Sequence, residues 1–490
     1  MNNDILNRLE SAQTDEAREW LVMQFTLENL APEIRDAVWA AAIPHWFDAD
    51  FLTALTDEPL SASEFQTLTT LSFAEEFPEH GFNIHERTRN LLLKRLWQDE
   101  PERYRELSRR AASYCEKQNQ DDTAWKIETV YHFLIADPDV GTSLLQDIAV
   151  EWHNPPNFAY DKVEALAKQA REHADVNRLN ELGIALTLYW EAHIDQIYSR
   201  CREAKAKLLE IKLSKIKDKL LKANCIRALG DVHRMLDEYE DARARYAEAR
   251  PIYSQIGARL GEANCIKALG DVHIMLSEYE DARARYAEAR PIYSQIGDRL
   301  GEANCIRALG DVHIMLSEYE DARARYAEAR PIYSQIGDRL GEANCIKALG
   351  DVHIMLSEYE DARARYAEAR PIYSQIGARL GEANCIKALG DVHRMLDEYE
   401  DAVTQYEKAM PTYKEIGDRY NYAEAFAYMG LAFKGLKQNE QTHQYLQQAL
   451  KLFEEIKSPR ADVVRQWLDE LNQESASGND TRPLEKRFLD

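Results

Sequence analysis

The chain has 490 residues, 45% of them hydrophobic, and a formal net charge of -24 at pH 7. Such a charge argues against nucleic acid or an anionic membrane as the main partner, because both attract clustered lysine and arginine. No apolar run approaches the roughly 20 residues that span a bilayer, and the amino terminus lacks the basic-then-apolar order of a secretion signal. The seven cysteines suit a reducing compartment. We therefore expect a soluble, cytoplasmic protein.

The first part of the chain, residues 1–120, contains no repeat and five of the eight tryptophans lie in or just after it. Apolar residues recur there at the spacing of a helix. The pattern predicts helices over 34–41, 51–55 and 65–71, a short extended segment over 81–85, and a further helix over 86–97. These elements predict a small, mostly helical head.

This order of elements resembles the winged-helix domain of STAND-type signalling ATPases, a class that often continues into tetratricopeptide sensors. Ile84-His85-Glu86 is similar to the Met-His-Asp type motif of that class, whose histidine senses bound ADP. The resemblance makes His85 a possible remnant of a nucleotide-sensing site. A histidine at a strand-to-helix junction is also explained by capping or packing. The phosphate-binding motif G-x-x-x-x-G-K-[ST] occurs nowhere in the sequence, so we expect no nucleotide binding by this chain and no cofactor.

Sequence-specific DNA binding is an alternative interpretation of the head. The candidate recognition helix, residues 61–71, carries Glu64 and neither lysine nor arginine. Contacts to DNA phosphates come largely from basic side chains. The composition of this helix therefore does not favour DNA binding.

The rest of the chain is dominated by a 40-residue unit that is repeated five times between Ala223 and Tyr422. A fixed period of this length is typical of a solenoid, in which each unit buries its apolar face against its neighbours. We predict an all-α fold with a helical connector and partial repeats over 121–182 and an array over 183–462, divergent at each end. Residues 463–490 are predicted to hold the end of a capping helix and a mobile tail.

Each unit contains two apolar stripes at helical spacing. In the first clean unit one stripe ends near Leu236 and the other begins at Tyr239, which predicts an antiparallel helix hairpin. We expect Gly257 and Gly261 to close the second helix, and Pro251 and its equivalents to bend it.

Several residues of the unit resemble the tetratricopeptide repeat, namely Leu229-Gly230, Ala242, Tyr246 and Ala249. The resemblance implies a right-handed superhelix in which the first helix of each hairpin lines a concave groove. Gly230 fits this scheme because a residue without Cβ lets the two helices approach closely.

The resemblance also implies which first-helix positions face the groove, namely the second, fifth, ninth, twelfth and thirteenth. They form ladders of Asn, of Lys or Arg, and of Asp, with a strip of Ile and Met in the middle units. The candidate partner-binding residues are Asn224, Arg227, Asp231, Asn264, Lys267, Asp271, Ile274, Met275, Asn304, Arg307, Asp311, Ile314, Met315, Asn344, Lys347, Asp351, Ile354, Met355, Asn384, Lys387 and Asp391.

These ladders suit a polypeptide lying in the groove, because Asn both donates and accepts hydrogen bonds and Met offers adaptable apolar contact. The alternative is that the positions are alike only because the whole unit was copied. We predict a non-enzymatic interaction module whose partner is another protein or peptide, acting as sensor or scaffold in a signalling or defence system. A regulatory subunit that controls a separate nucleotide-binding or protease chain is the alternative.

Cysteine and histidine also recur once per unit, at Cys225 and His233 and their equivalents. Equivalent positions of a solenoid lie about one repeat apart, whereas the ligands of one ion must converge on it. We therefore predict no metal site.

Overall fold

The computed structural model describes residues 12–477, and these are almost entirely helical. The chain divides into two compact units, Met1–Ile252 and Tyr253–Asp490, called unit 1 and unit 2 below. The predicted all-α class is confirmed. The domain limits at residues 120, 182 and 462 stay predictions.

Unit 1 holds the predicted head, the connector and the first helices of the array. Its elements are α1 (Asp15–Glu28), α2 (Pro32–Ala41), α3 (Ala49–Leu55), α4 (Ala62–Thr69), β1 (Ala74–Phe77), β2 (Gly81–Ile84), α5 (Glu86–Asp99), α6 (Pro101–Cys115), α7 (Thr123–Ala136), α8 (Pro138–His153), α9 (Tyr160–Asp175), α10 (Glu181–Ile197), α11 (Cys201–Glu210), α12 (Lys219–Met235) and the greater part of α13 (Tyr239–Gln255).

The head has the element order of a winged helix. Strands β1 and β2 pair antiparallel, and an isolated bridge joins Phe47 to Phe82, so that a third extended segment lies beside the hairpin. Gly81 makes this approach possible, because its φ is +93° and a Cβ there would lie 2.6 Å from the carbonyl oxygen of Phe47. The candidate recognition helix begins with a capping box between Ser61 and Glu64.

A buried polar cluster joins the head to the connector helices α7 and α9. The Glu128 carboxylate, which is fully buried, accepts from the backbone N–H of His45 at 2.9 Å and contacts His45 Nδ1 at 2.8 Å. The Arg89 guanidinium donates to the carbonyl oxygens of Ala42 and Pro44 and to the hydroxyl of Tyr131. Every one of these buried charges has a partner, which is what burial of a charge requires.

Unit 2 is a series of helix hairpins. They are formed by α14 (Arg259–Met275), α15 (Tyr279–Ile296), α16 (Arg299–Met315), α17 (Tyr319–Ile336), α18 (Arg339–Met355), α19 (Tyr359–Gln375), α20 (Arg379–Met395), α21 (Tyr399–Ile416), α22 (Arg419–Gly435) and α23 (Asn439–Glu455), followed by α24 (Arg460–Ser477). The remainder of the predicted mobile tail lies outside the described residues.

Each hairpin turns at a residue in the left-handed region. Ser317 has a φ of 59°, and the N–H of Glu318 donates to the carbonyl oxygen of His313 at 2.8 Å, which closes the first helix of that unit. Pro331 lies within the second helix, α17, which continues on both sides of it. The bend expected at the prolines stays a prediction.

The two helices of a hairpin touch where the repeat carries its inner glycine. A Cβ built at Gly310 would lie 2.7 Å from the ring of Tyr326, closer than such atoms approach in proteins, which confirms the expected close packing. The position of Gly261 contradicts the prediction that it closes the second helix. It lies inside α14 and would meet the ring of Tyr253 at 2.4 Å, so it allows close packing and does not close a helix. Gly257, with a φ of 71°, follows the second helix as predicted.

Among residues 12–477, no helix is both long enough and apolar enough to cross a bilayer.

Candidate binding groove

The first helix of each clean repeat carries one rung, which we define as its Asn, its Lys or Arg three residues later, and its Asp. In α16 the rung consists of Asn304, Arg307 and Asp311. Arg307 donates to Asp311 at 2.8 Å, and the hydroxyl of Tyr326 donates to the same carboxylate at 2.8 Å. The Asp is therefore paired within its own hairpin.

The Asn of each rung in unit 2 is held by a tyrosine from the second helix of its hairpin. The hydroxyl of Tyr333 donates to Oδ1 of Asn304 at 2.7 Å. The equivalent bonds measure 2.6, 2.7 and 2.9 Å for Tyr293 to Asn264, Tyr373 to Asn344 and Tyr413 to Asn384.

This bond decides which atom of the amide faces a ligand. Burial raises the pKa of Tyr333 to about 12, so its hydroxyl keeps its proton, and that proton is donated to Oδ1 of Asn304. Because the oxygen is engaged, the Nδ2 group is what the side chain offers to a partner. The ladder thus presents N–H donors, which suit the carbonyl oxygens of a polypeptide.

The apolar strip divides into two kinds of residue. Met275, Met315 and Met355 expose 56%, 55% and 53% of their surface. Ile274, in contrast, is half-buried and packs against a cluster that contains Tyr286 of its own hairpin and Leu309 of the following one. Ile314 and Ile354 pack against the equivalent clusters of later repeats. Of the strip, the methionines are therefore the residues that expose apolar surface to solvent.

The first rung lies in unit 1 and is built in the same way. Arg227 donates to Asp231 at 2.8 Å, and Tyr246 donates to the other carboxylate oxygen at 2.8 Å. Arg234 stands where the middle repeats have Ile, which makes this part of the ladder more polar.

The last rung differs from the others. Lys387 pairs with Glu424 of the following repeat, and partial burial of the Asp391 carboxyl raises its pKa. Arg394 is buried over the ring of Tyr428, 4.9 Å from its centroid. These contacts fill the last rung with neighbouring side chains, so the most regular part of the ladder runs over the rungs of Asn264, Asn304 and Asn344.

A cleft of about 520 Å³ lies between the first helices α18 and α20. Asn344, Lys347 and Asn384 line it together with Tyr373. Leu340 and Leu380 line it too, exposed by 49% and 44%. The sequence analysis missed these leucines and the orienting tyrosines, although both recur with the 40-residue period.

His85 lies at the amino end of α5 in the head. Its side chain is exposed, and its backbone N–H donates to the carbonyl oxygen of Phe73 at 2.7 Å. The role of His85 in nucleotide sensing stays a prediction.

The repeated cysteines belong to the core. Cys305 is fully buried, and burial raises the pKa of its thiol to about 12. A thiol of that pKa is neither a nucleophile nor a ready metal ligand at neutral pH.

The repeated histidines have a different environment. In each of five repeats a histidine, a glutamate and an aspartate of one hairpin turn bring one ligand atom each to within 4.8 Å of one another. Among the described residues, these are the groups of three His, Cys, Asp or Glu side chains that could hold a metal ion. The spacing H-x4-E-x2-D that brings them together is visible in the sequence of each repeat. A comparison of equivalent histidines between repeats does not reveal it.

The helix hairpins stacked at a 40-residue period define an α-solenoid repeat protein. The family model of the tetratricopeptide repeat matches residues 262–335, 302–375, 341–415 and 382–455. Residues 262–455 of this chain are therefore tetratricopeptide repeats. The comparison with curated protein sequences found no match.

Solved structures are similar in fold to large parts of this chain. A Signal Transduction ATPase with Numerous Domains (STAND) protein with a tetratricopeptide repeat sensor, from Pyrococcus horikoshii, is similar over 95% of this chain and 69% of its own, with 14% identity and a TM-score of 0.57. The apo form of RapI is similar over 76% of this chain and 98% of its own, with 13% identity and a TM-score of 0.51. At such identities the likeness is one of fold.

Proposed function

We propose that this protein is a non-enzymatic interaction module that binds a polypeptide along the groove of its repeats, as sensor or scaffold in a signalling or defence system. The observation that carries the proposal is the ladder of Asn264, Asn304 and Asn344, whose amides are held by tyrosine hydroxyls with their N–H groups left for a ligand. The exposed leucines of the cleft supply apolar surface beside these donors.

The chemistry of a rung favours a polypeptide over other ligands. The Asp carboxylates are paired with Lys or Arg of the same helix, for example Lys347 with Asp351 at 2.7 Å, so the ladder is not a strip of uncompensated charge. Amide donors and apolar surface match a peptide backbone with apolar side chains. Nucleic acid would require an excess of positive charge.

The test is an affinity purification from the native host followed by mass spectrometry. Replacing Asn264, Asn304 and Asn344 with Asp keeps the oxygen that accepts from tyrosine and removes the N–H donors. We expect a specific protein partner to be retained by the unchanged chain and lost with this variant.

The matched control is the change of Gln295, Gln335 and Gln375 to Glu. These exposed amides follow the orienting tyrosines by two residues, so they project from the opposite side of the second helix. The control adds the same negative charge and should retain the partner. Loss of the partner with both variants would mean that charge, and not the groove, decides binding.

A regulatory subunit is a second candidate, because this chain is similar in fold to a STAND protein with a tetratricopeptide repeat sensor. In that case the recovered partner would be a nucleotide-binding or protease chain, and adding the purified protein would change the activity of that chain. An unchanged activity would exclude this candidate.

A further inference from the structure

The hairpin turn of each clean repeat contains a set of side chains with the chemistry of a metal site. In the third repeat these are His313 at the end of the first helix, and Glu318 and Asp321 at the start of the second. One imidazole nitrogen and one oxygen of each carboxylate lie within 4.8 Å of one another. We propose that these turns bind borderline divalent cations such as Zn²⁺, one ion in each turn.

The donor set suits this class of ion. Zn²⁺ accepts imidazole nitrogen and carboxylate oxygen, commonly with three protein ligands and a fourth position taken by water. A harder cation such as Mg²⁺ prefers oxygen ligands alone. The imidazole of the turn therefore favours Zn²⁺ over Mg²⁺.

One distance between donor atoms of the turn is shorter, and another is longer, than the separation of donors around a bound Zn²⁺. In the first clean repeat, His233 Nδ1 lies 2.5 Å from Glu238 and 3.9 Å from Asp241. Donors on a tetrahedral Zn²⁺ are about 3.4 Å apart, given bonds of roughly 2.0–2.2 Å. Binding therefore requires the glutamate to move away from the imidazole nitrogen and the aspartate to move towards it. The exposed Asp241 leaves the site open to solvent.

The turn holds two of the ligands in place before any ion binds. The backbone N–H of Glu318 donates to the carbonyl oxygen of His313, and Ser317 between them is fixed in the left-handed region. The imidazole is mostly buried, with 13% of its side chain exposed. The backbone of the turn is therefore ordered before the ion binds, which lowers the entropy cost of binding.

A competing contact limits that affinity. Glu318 also pairs with Arg283 of the preceding repeat at 3.3 Å, and Glu238 pairs with Lys205 at 2.6 Å. An ion must share the glutamate with this cation. We therefore expect moderate affinity, with tighter binding when Arg283 is replaced by Ala.

The test is a titration of the metal-free full-length chain with Zn²⁺, measured by competition with a chromophoric chelator. We expect five equivalents per chain, one for each turn. Changing His273, His313 and His353 to Gln should leave two of these five. Glutamine keeps a donor for the glutamate and so preserves the hairpin, which circular dichroism and melting would verify.

The matched control changes Glu288, Glu328 and Glu368 to Gln. These carboxylates lie in the middle of the second helices, pair there with Arg285, Arg325 and Arg365, and are not among the proposed ligands. The control should retain five equivalents, and Co²⁺ in place of Zn²⁺ should give visible absorption bands that the histidine variant loses in proportion. No saturable binding, or equal loss in both variants, would overturn the proposal.

Discussion

The hydroxyl of Tyr333 donates a hydrogen bond to Oδ1 of Asn304 across 2.7 Å and so fixes the orientation of an amide on the candidate groove. The two residues stand on different helices of one hairpin, α16 and α17. The same pair recurs in the neighbouring repeats of unit 2. A contact inside the hairpin thereby determines what the surface offers to a partner.

Replacing Tyr333 with Phe tests this relationship. Loss of a hydrogen bond between a buried hydroxyl and an amide costs about 0.5–1.5 kcal/mol of unfolding free energy. We expect a decrease of this size in urea denaturation and weaker binding of the partner, because the amide is then free to rotate. Tyr319→Phe, at the opposite end of the same helix, is the control and should leave binding unchanged. Equal binding by the two variants would contradict the orienting role.

Gly310→Ala tests the packing of the hairpin. The new Cβ would lie 2.7 Å from the ring of Tyr326, which is buried and hydrogen-bonded to Asp311 and so cannot move freely. Overpacking of this kind costs about 1–3 kcal/mol. Thermal and urea unfolding should show the loss, whereas the exposed Ser294→Ala should change stability by less than about 0.5 kcal/mol. An unchanged melting temperature for Gly310→Ala would contradict the close approach.

Ser317→Gly should stabilise the chain. Ser317 has a φ of 59°, and the left-handed conformation costs a residue with a Cβ roughly 1–2 kcal/mol. Glycine avoids this cost but loses more entropy on folding, so we expect a net gain of up to about 1 kcal/mol in urea denaturation. Ser334→Gly, inside helix α17, should instead decrease the free energy of unfolding. A loss of stability with Ser317→Gly would refute the argument from backbone conformation.

Unit 1 should lose stability in acid. Burial, with Arg178 and Arg89 nearby, holds the pKa of His173 well below its usual 6.5, and burial also lowers the pKa of His132 despite Glu128 beside it. The unfolded chain therefore binds these protons more readily. The stability that the two neutral histidines contribute is complete above about pH 6.5 and is lost as the pH falls below it.

His45 acts in the opposite direction. Burial and Arg89 lower its pKa, but Glu128 and Glu172 outweigh them and raise it. The stability that protonated His45 contributes is therefore present at low pH and is lost as the pH rises through the raised pKa.

The variant His173→Leu isolates the contribution of His173 to this pH dependence. The decrease in unfolding free energy between about pH 7 and pH 5 should be smaller in this variant than in the unchanged chain. An identical decrease would show that His173 does not titrate on unfolding.

The sequence was sufficient for the hairpins because their period is set by local spacing. The stripe ending near Leu236, the turn and the stripe beginning at Tyr239 all appear at the predicted places. The prediction that Gly261 closes the second helix was wrong, because a glycine in a sequence is equally consistent with a turn and with a close approach between helices. Only the position of the Tyr253 ring distinguishes the two.

The site was harder to predict than the fold. The spacing of the ladder indicated which residues lie along the first helices, but it could not show that Asp311 is paired with Arg307 and Tyr326 or that Oδ1 of Asn304 is engaged. Those bonds depend on side chains from the second helix. The packing of Ile274 against Leu309 likewise depends on the following hairpin.

Site-specific crosslinking tests the central claim, that the groove side of the first helices binds a polypeptide, most directly. A photoreactive residue at Leu340, which lines the cleft, should crosslink to a protein partner in the native host. The same residue at Ala327, exposed on the second helix α17, should not. Crosslinks from Ala327 with none from Leu340 would contradict the claim and place the partner on the other side of the repeats.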